Sequence, residues 1–271
     1  MSESTVHLSI TPLKISEIPA EDAIIQAGRE LMDSTAAWKQ GKTYQKNTVK
    51  TFSRPKGSKD GAGWHLRVSE HTKEDATFDE FWSKLGLNKA ENEMQYIPDI
   101  KKVKLLKRIS PTQSVWTLYY HFAPPVSPRV FTVVQTTWLS DTTPRTGMIV
   151  SIPVDVTEDA EYAKLEEKGV KGRYVSVERI QELDNGKVEW RMATSSTPGG
   201  SIPQFVAESS MASTISHDVT HFLGWLHKNR SAEPAAPSET ADVHAAAPQE
   251  EVAPSDAVAE ASGPGAVGAT A

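Results

Sequence analysis

The sequence predicts an α+β domain in which a curved antiparallel sheet wraps a long C-terminal helix. Three observations carry this expectation. Hydropathy alternates with a period of two across residues 103–194, the connections inside that stretch are too short for crossovers, and the period becomes helical across residues 202–228. The last stretch sets Phe205, Ala212, Ile215, Val219, Phe222 and Leu226 on one stripe, which has to be buried against the sheet's concave face.

Residues 1–14 are expected to form a flexible N-terminus, and residues 15–230 a single domain. Pro19, Glu21 and Asp22 suit a helix start, with Ile24, Gly28, Leu31, Thr35 and Trp38 on one face before Gly41. Residues 43–52 and 64–71 read as two strands joined by a polar loop. Thr77-Phe78-Asp79-Glu80 is a capping box, in which a hydroxyl and a carboxylate each satisfy a free backbone N–H. Phe78, Phe81, Trp82 and Leu85 follow with helical spacing until Gly86, and Asn88 with Glu91 marks a second short helix limited by Pro98. The aromatic face of this pair reads as core.

Six strands are then expected, at about 102–109, 114–121, 129–139, 148–154, 172–183 and 187–195. Asn185-Gly186 between two alternating runs is the strongest hairpin signal.

Composition changes after Arg230. Residues 231–271 contain no Lys, Arg, Phe, Tyr or Trp and are mostly Ala, Pro, Ser, Glu and Gly, so they cannot bury enough apolar surface to offset the entropy of ordering and are expected to be disordered. Seven of the chain's 35 acidic residues lie in this tail, which leaves 28 against 29 Lys and Arg in the body. A balanced body argues against phosphate-driven nucleic-acid binding. The local basic run Lys101, Lys102, Lys104, Lys107 and Arg108 suits either an anionic membrane surface or a solvated strand edge. With no cysteine, disulfides and thiolate metal sites are excluded. Neither a signal peptide nor a membrane span is read, so a cytoplasmic or nuclear location is expected.

Two constellations invite chemistry. His217-Asp218-Val219-Thr220-His221 has the two-histidine spacing of helical zinc sites, but Asp is a methylene shorter than the Glu such sites use, and no third ligand suggests itself. The two histidines also flank the apolar stripe on its polar side, where solvent is expected. Glu178-Arg179 with Glu189 and Arg191 reads as cross-strand pairing on a wet face, because charges alternate with Val175, Val177, Val188, Trp190 and Met192, which should point inward. No metal and no organic cofactor are expected.

Ser127-Pro128-Arg129-Val130-Phe131 opening a strand, the meander, and Pro198-Gly199-Gly200-Ser201-Ile202-Pro203 opening the last helix together resemble START domains, the steroidogenic-acute-regulatory-related lipid-transfer fold. Residues 78–82, 91–100, 172–179 and 189–200 are more closely similar to a fungal branch of that superfamily, domain-of-unknown-function family 3074. The resemblance implies a helix-grip (START/Bet v 1-like) fold enclosing a cavity for a lipid or other apolar small molecule. Val130 departs from the acidic residue usual in START domains, and Pro153 lies where sterol-binding members carry an arginine.

The expected cavity wall is Met148, Val150, Ile152, Val175, Val177, Trp190 and Met192, with Phe205, Met211, Ile215 and Val219 of the last helix as lid. Binding, and transfer between membranes, is the activity expected, rather than catalysis. The rivals are a cyclase-like or hydrolase-like enzyme using Tyr119, Tyr120 or Glu178 in the same cavity, and a ligand-free adaptor whose tail recruits partners.

Overall fold

The computed structural model describes residues 6–230, so the expectations for the tail after Arg230 lie outside the described residues. The elements follow in the order β1 (Leu13–Lys14), α1 (Glu21–Ser34), β2 (Lys39–Tyr44), β3 (Val49–Arg54), β4 (Trp64–His71), α2 (Phe78–Phe81), α3 (Lys89–Tyr96), β5 (Ile100–Arg108), β6 (Gln113–Tyr120), β7 (Arg129–Leu139), β8 (Thr146–Asp155), α4 (Ala160–Ala163), β9 (Val170–Lys171), β10 (Arg173–Glu182), β11 (Val188–Thr197) and α5 (Gln204–Arg230). The sheet runs β2-β3-β4-β11-β10-β8-β7-β6-β5, antiparallel throughout, while β1 and β9 add short parallel pairings to β8 and β7.

Both helix caps and strand limits largely match the residues that encode them. The Thr77 hydroxyl accepts from the Glu80 N–H while the Glu80 carboxylate accepts from Thr77, and a π-helical turn, Trp82–Gly86, continues α2. Asn88 does not cap α3 as expected. It sits in the left-handed region, and Asn92 instead donates to the carbonyls of Lys84 and Leu87. The expected single strand at 43–52 is a hairpin, β2 to β3, turned by Gln45, Lys46 and Asn47 at positive φ. Residues 6–14 are held rather than flexible: Leu8 is buried, and Leu13 and Lys14 pair with Val154 and Asp155.

Each face of the sheet has its own core. On one, Ile24, Ile25, Ala27 and Met32 of α1 pack on Met148, Val150, Val175, Val177 and Ala193. The approach is close because position 28 is glycine; a Cβ there would lie 2.9 Å from Val150 Cγ2. On the other, the C-terminal half of α5 buries Val219, Phe222 and Leu226 against Phe81, Tyr96, Ile180 and Trp190. Phe222 stacks on Phe81 with ring centroids 5.1 Å apart and meets Trp190 at 5.2 Å.

Candidate ligand-binding cavity

The N-terminal half of α5 makes no comparable core. From Gln204 to Thr214 none of its residues is buried, although the C-terminal half buries five. Between this half-helix and the sheet lies a cavity of about 650 Å³, within the range of small-molecule sites. Tyr174, Ser176 and Glu178 of β10 and Trp190, Met192 and Thr194 of β11 form its wall; Ala207, Met211, Ile215 and Asp218 of α5 cover it. The entry to α5 is set by Gly199 at φ +65°, where a Cβ would meet the Lys171 carbonyl oxygen at 2.2 Å.

Of the residues expected to build the cavity, Trp190, Met192, Met211 and Ile215 line it. Met148, Val150, Ile152, Val175 and Val177, expected in the wall, do not. They are buried on the opposite face, under α1. The cause is strand register. Glu178 pairs with Met192 and Ser176 with Thr194, which puts the even-numbered residues of both strands on the cavity side and Val175 and Val177 with Ser195 and Ala193 on the other. Val219 belongs to the core below the cavity, and Phe205 is 72% exposed.

Expectations for polar residues shift as well. Arg179 pairs with Glu189 across the strands at 2.9 Å as expected, whereas Arg191 pairs with Glu189 of its own strand at 3.0 Å. Glu178 is not on a wet face but buried at the inner end of the cavity. There its Oε1 lies 2.7 Å from Lys89 Nζ, its Oε2 accepts from Trp190 Nε1 at 3.0 Å, and Arg67 Nη2 is 4.0 Å away. Lys89 also holds Glu93 at 2.6 Å, and the Arg67 guanidinium lies over the Trp190 ring at 3.8 Å. His217 and His221 line the cavity rather than facing bulk solvent alone. Among the described residues no group of His, Cys, Asp and Glu is arranged to hold a metal ion.

Burial works against every charge in this cluster, and the partners decide the outcome. For Glu178 burial is opposed by Lys89 and Arg67, which hold its carboxyl below the usual carboxylate range. Lys89 is likewise desolvated, yet Glu178 and Glu93 keep its ammonium well above the ordinary lysine value. Burial pushes Glu93 up. Burial, together with Glu93 and Glu178, raises Asp218 to about 7 against the pull of Arg67 and Lys89. Tyr96, Tyr120 and Tyr174, which line the same space, are all pushed up by burial and remain neutral phenols.

Sequence reasoning missed Arg67, Lys89, Glu93 and Asp218 as cavity residues. The i,i+4 spacing of Lys89 and Glu93 was the available signal, but such pairs mostly occupy exposed helix surface.

A family model described as "Protein of unknown function (DUF3074)" matches residues 64–226. The chain belongs to the DUF3074 family. No curated protein matches it. Among solved structures, human STARD10 aligns with a TM-score of 0.61 at 12% identity, covering 79% of this chain and 82% of that one. The human StAR-related lipid transfer protein 5 aligns at 0.60 and 17%, covering 79% and 96%, and a STAR-related lipid transfer protein fragment from Xanthomonas axonopodis at 0.55 and 19%, covering 70% and 98%. This DUF3074 member therefore has the START fold, a large curved antiparallel sheet with a long C-terminal helix. The DUF3074 match begins at Trp64, the first residue of β4, so it takes in Arg67, Lys89, Glu93, Glu178 and Asp218.

Proposed function

We propose that this protein binds a lipid or another apolar small molecule in the cavity under the N-terminal half of α5. The observation that carries the reading is the cavity itself. A 27-residue helix that packs tightly through its second half leaves about 650 Å³ beneath its first, lined by Tyr, Phe, Trp, Met and Ile side chains. An apolar space of this size gains free energy by accepting an apolar occupant. Structural neighbours named as lipid transfer proteins share the fold and support the same reading.

Binding without catalysis fits the side chains better than chemistry does. Glu178, the carboxylate with catalytic potential in the sequence, is paired with Lys89 and accepts from the Trp190 N–H, Tyr120 lines the cavity as a phenol that burial keeps neutral, and Tyr119 is not among the lining residues. Transfer between membranes would need a docking surface. Lys102 and Lys104 lie on the edge strand β5, where both pair with Glu167, so the basic run is partly neutralised and also serves the ordinary protection of a sheet edge.

Solvent extraction and mass spectrometry of the purified protein should find a bound lipid, or vesicle assays should show that one can be loaded. The variant Thr194→Trp, which puts an indole into the cavity, should stay folded and lose that uptake. Failure of the wild type to take up any lipid from vesicles would sink the proposal.

A further inference from the structure

The inner end of the cavity is one positive charge short. Arg67 and Lys89 face three carboxylates, those of Glu93, Glu178 and Asp218. Two of the three are engaged, Glu178 by Lys89 and the Trp190 N–H, and Glu93 by Lys89. Asp218 accepts no hydrogen bond and forms no ion pair with any described residue, and it lines the open space. The two cations cannot easily turn to an anionic guest. Lys89 is held between two carboxylates, and the Nε and Nη1 atoms of Arg67 are fully enclosed without partners, one face of the guanidinium being covered by Trp190.

Aromatic rings complete the surroundings, with Tyr96, Tyr120 and Tyr174 lining the same space. A cation that reaches an aromatic ring is attracted by it, and desolvation strengthens the attraction. We propose that the cavity selects an amphipathic ligand with a singly cationic ammonium headgroup, held by the Asp218 carboxylate. This rests on the binding function proposed above and names the headgroup class. The rise of Asp218 to about 7 agrees with it, because burial, with the neighbouring Glu93 and Glu178, favours a proton at the place a ligand cation would take.

A pH dependence follows. The charged groups that bear on Asp218 are Arg67 from β4, Lys89 and Glu93 from α3 and Glu178 from β10, while Tyr96 of α3 and His217 and His221 of its own helix line the same cavity. An ammonium stays charged through neutrality, whereas Asp218 gains its charge as pH rises through about 7, so affinity should rise between about pH 6 and about pH 8.

Calorimetric titration of the full chain with decylamine, 1-decanol and decanoate, three probes sharing one tail, tests the proposal. Decylamine should bind about tenfold or more tighter than either analogue. Asp218→Asn, with Asp218→Ser as a second variant and circular dichroism to verify folding, should remove that preference and its pH dependence, so that decylamine binds no more tightly than decanol in either variant. Thr194→Trp should abolish binding of all three, which separates cavity binding from surface adsorption. Decanoate binding as tightly as decylamine, or an amine preference that survives in both Asp218 variants, would overturn the headgroup assignment alone. If none of the probes binds the wild type, both the headgroup and the binding function fail.

Discussion

At the scale of single residues, Lys89 holds the most charge together. Its ammonium touches two carboxylates, the buried Glu178 and the partly buried Glu93, and is itself almost fully enclosed. Lys89→Met would leave Glu93, Glu178 and Asp218 facing Arg67 alone, and breaking a buried pair in this way costs about 3–5 kcal/mol. Asp218 has a folded value of about 7 against an ordinary 3.8, so the folded state holds a proton that the unfolded state has released across that window. Stability therefore declines as pH rises through it. Removing Lys89 pushes the remaining carboxyls higher, so urea titrations should show the Lys89→Met deficit shrinking at acid pH and a steeper fall towards neutrality than in the wild type. A deficit independent of pH would show that the loss is one of packing. None of this was readable beforehand, because a polar cavity face and a solvent face produce the same alternation. Arg67, Ser69 and His71 occupy alternate positions of β4 just as wet-face residues would, yet all three are buried. The placement of Glu178 turned on one residue of a turn. With a two-residue Asn185-Gly186 turn, Val177 would oppose Thr194 on the cavity side. The observed turn spans Asp184, Asn185 and Gly186, with Leu183 N–H donating to the Lys187 carbonyl, and the added residue moves every side chain of β10 to the other face relative to β11.

At the scale of elements, the meander was legible because its strands bury alternate residues and its turns carry Pro, Gly, Asn and Asp. The β2–β3 hairpin was not, since its left-handed turn residues are Gln45, Lys46 and Asn47, with no glycine to mark it. The closing helix was legible as a single stripe, but the structure divides that stripe in two. Phe222 is fully buried among Phe81, Trp190 and Tyr96, whereas Met211 borders an open cavity. Phe222→Ala should cost about 3–5 kcal/mol, as large-to-small changes in packed cores do. Met211→Ala should cost well under half as much, since its neighbours on one side are already missing. Hydrogen exchange should follow the same division, with amides of residues 204–214 opening by a local route and those of 215–230 only on global unfolding. Equal protection along the whole helix would contradict the division.

At the scale of the whole molecule, the sheet is clamped between two unlike layers. The α1 side is a closed apolar core that includes all five residues misplaced at the cavity wall, and it sets the stability of the empty protein. The α5 side is solid at one end and hollow at the other, so it is the side on which a ligand can add stability. An occupant that binds only the folded state raises its stability with the logarithm of its excess over the dissociation constant, about 2.7 kcal/mol at a hundredfold excess. For a domain of this size that corresponds to a rise in Tm of roughly 5–10 °C. Because the ligand fills space beneath residues 204–214, the gain should be accompanied by slower exchange in that half-helix and unchanged exchange in α1. Comparing delipidated and loaded protein by calorimetry and hydrogen exchange measures both together. A shift in Tm that protects α1 and β8 while leaving the N-terminal half of α5 unprotected would place the ligand elsewhere on the molecule, and the cavity would then be an unfilled packing defect.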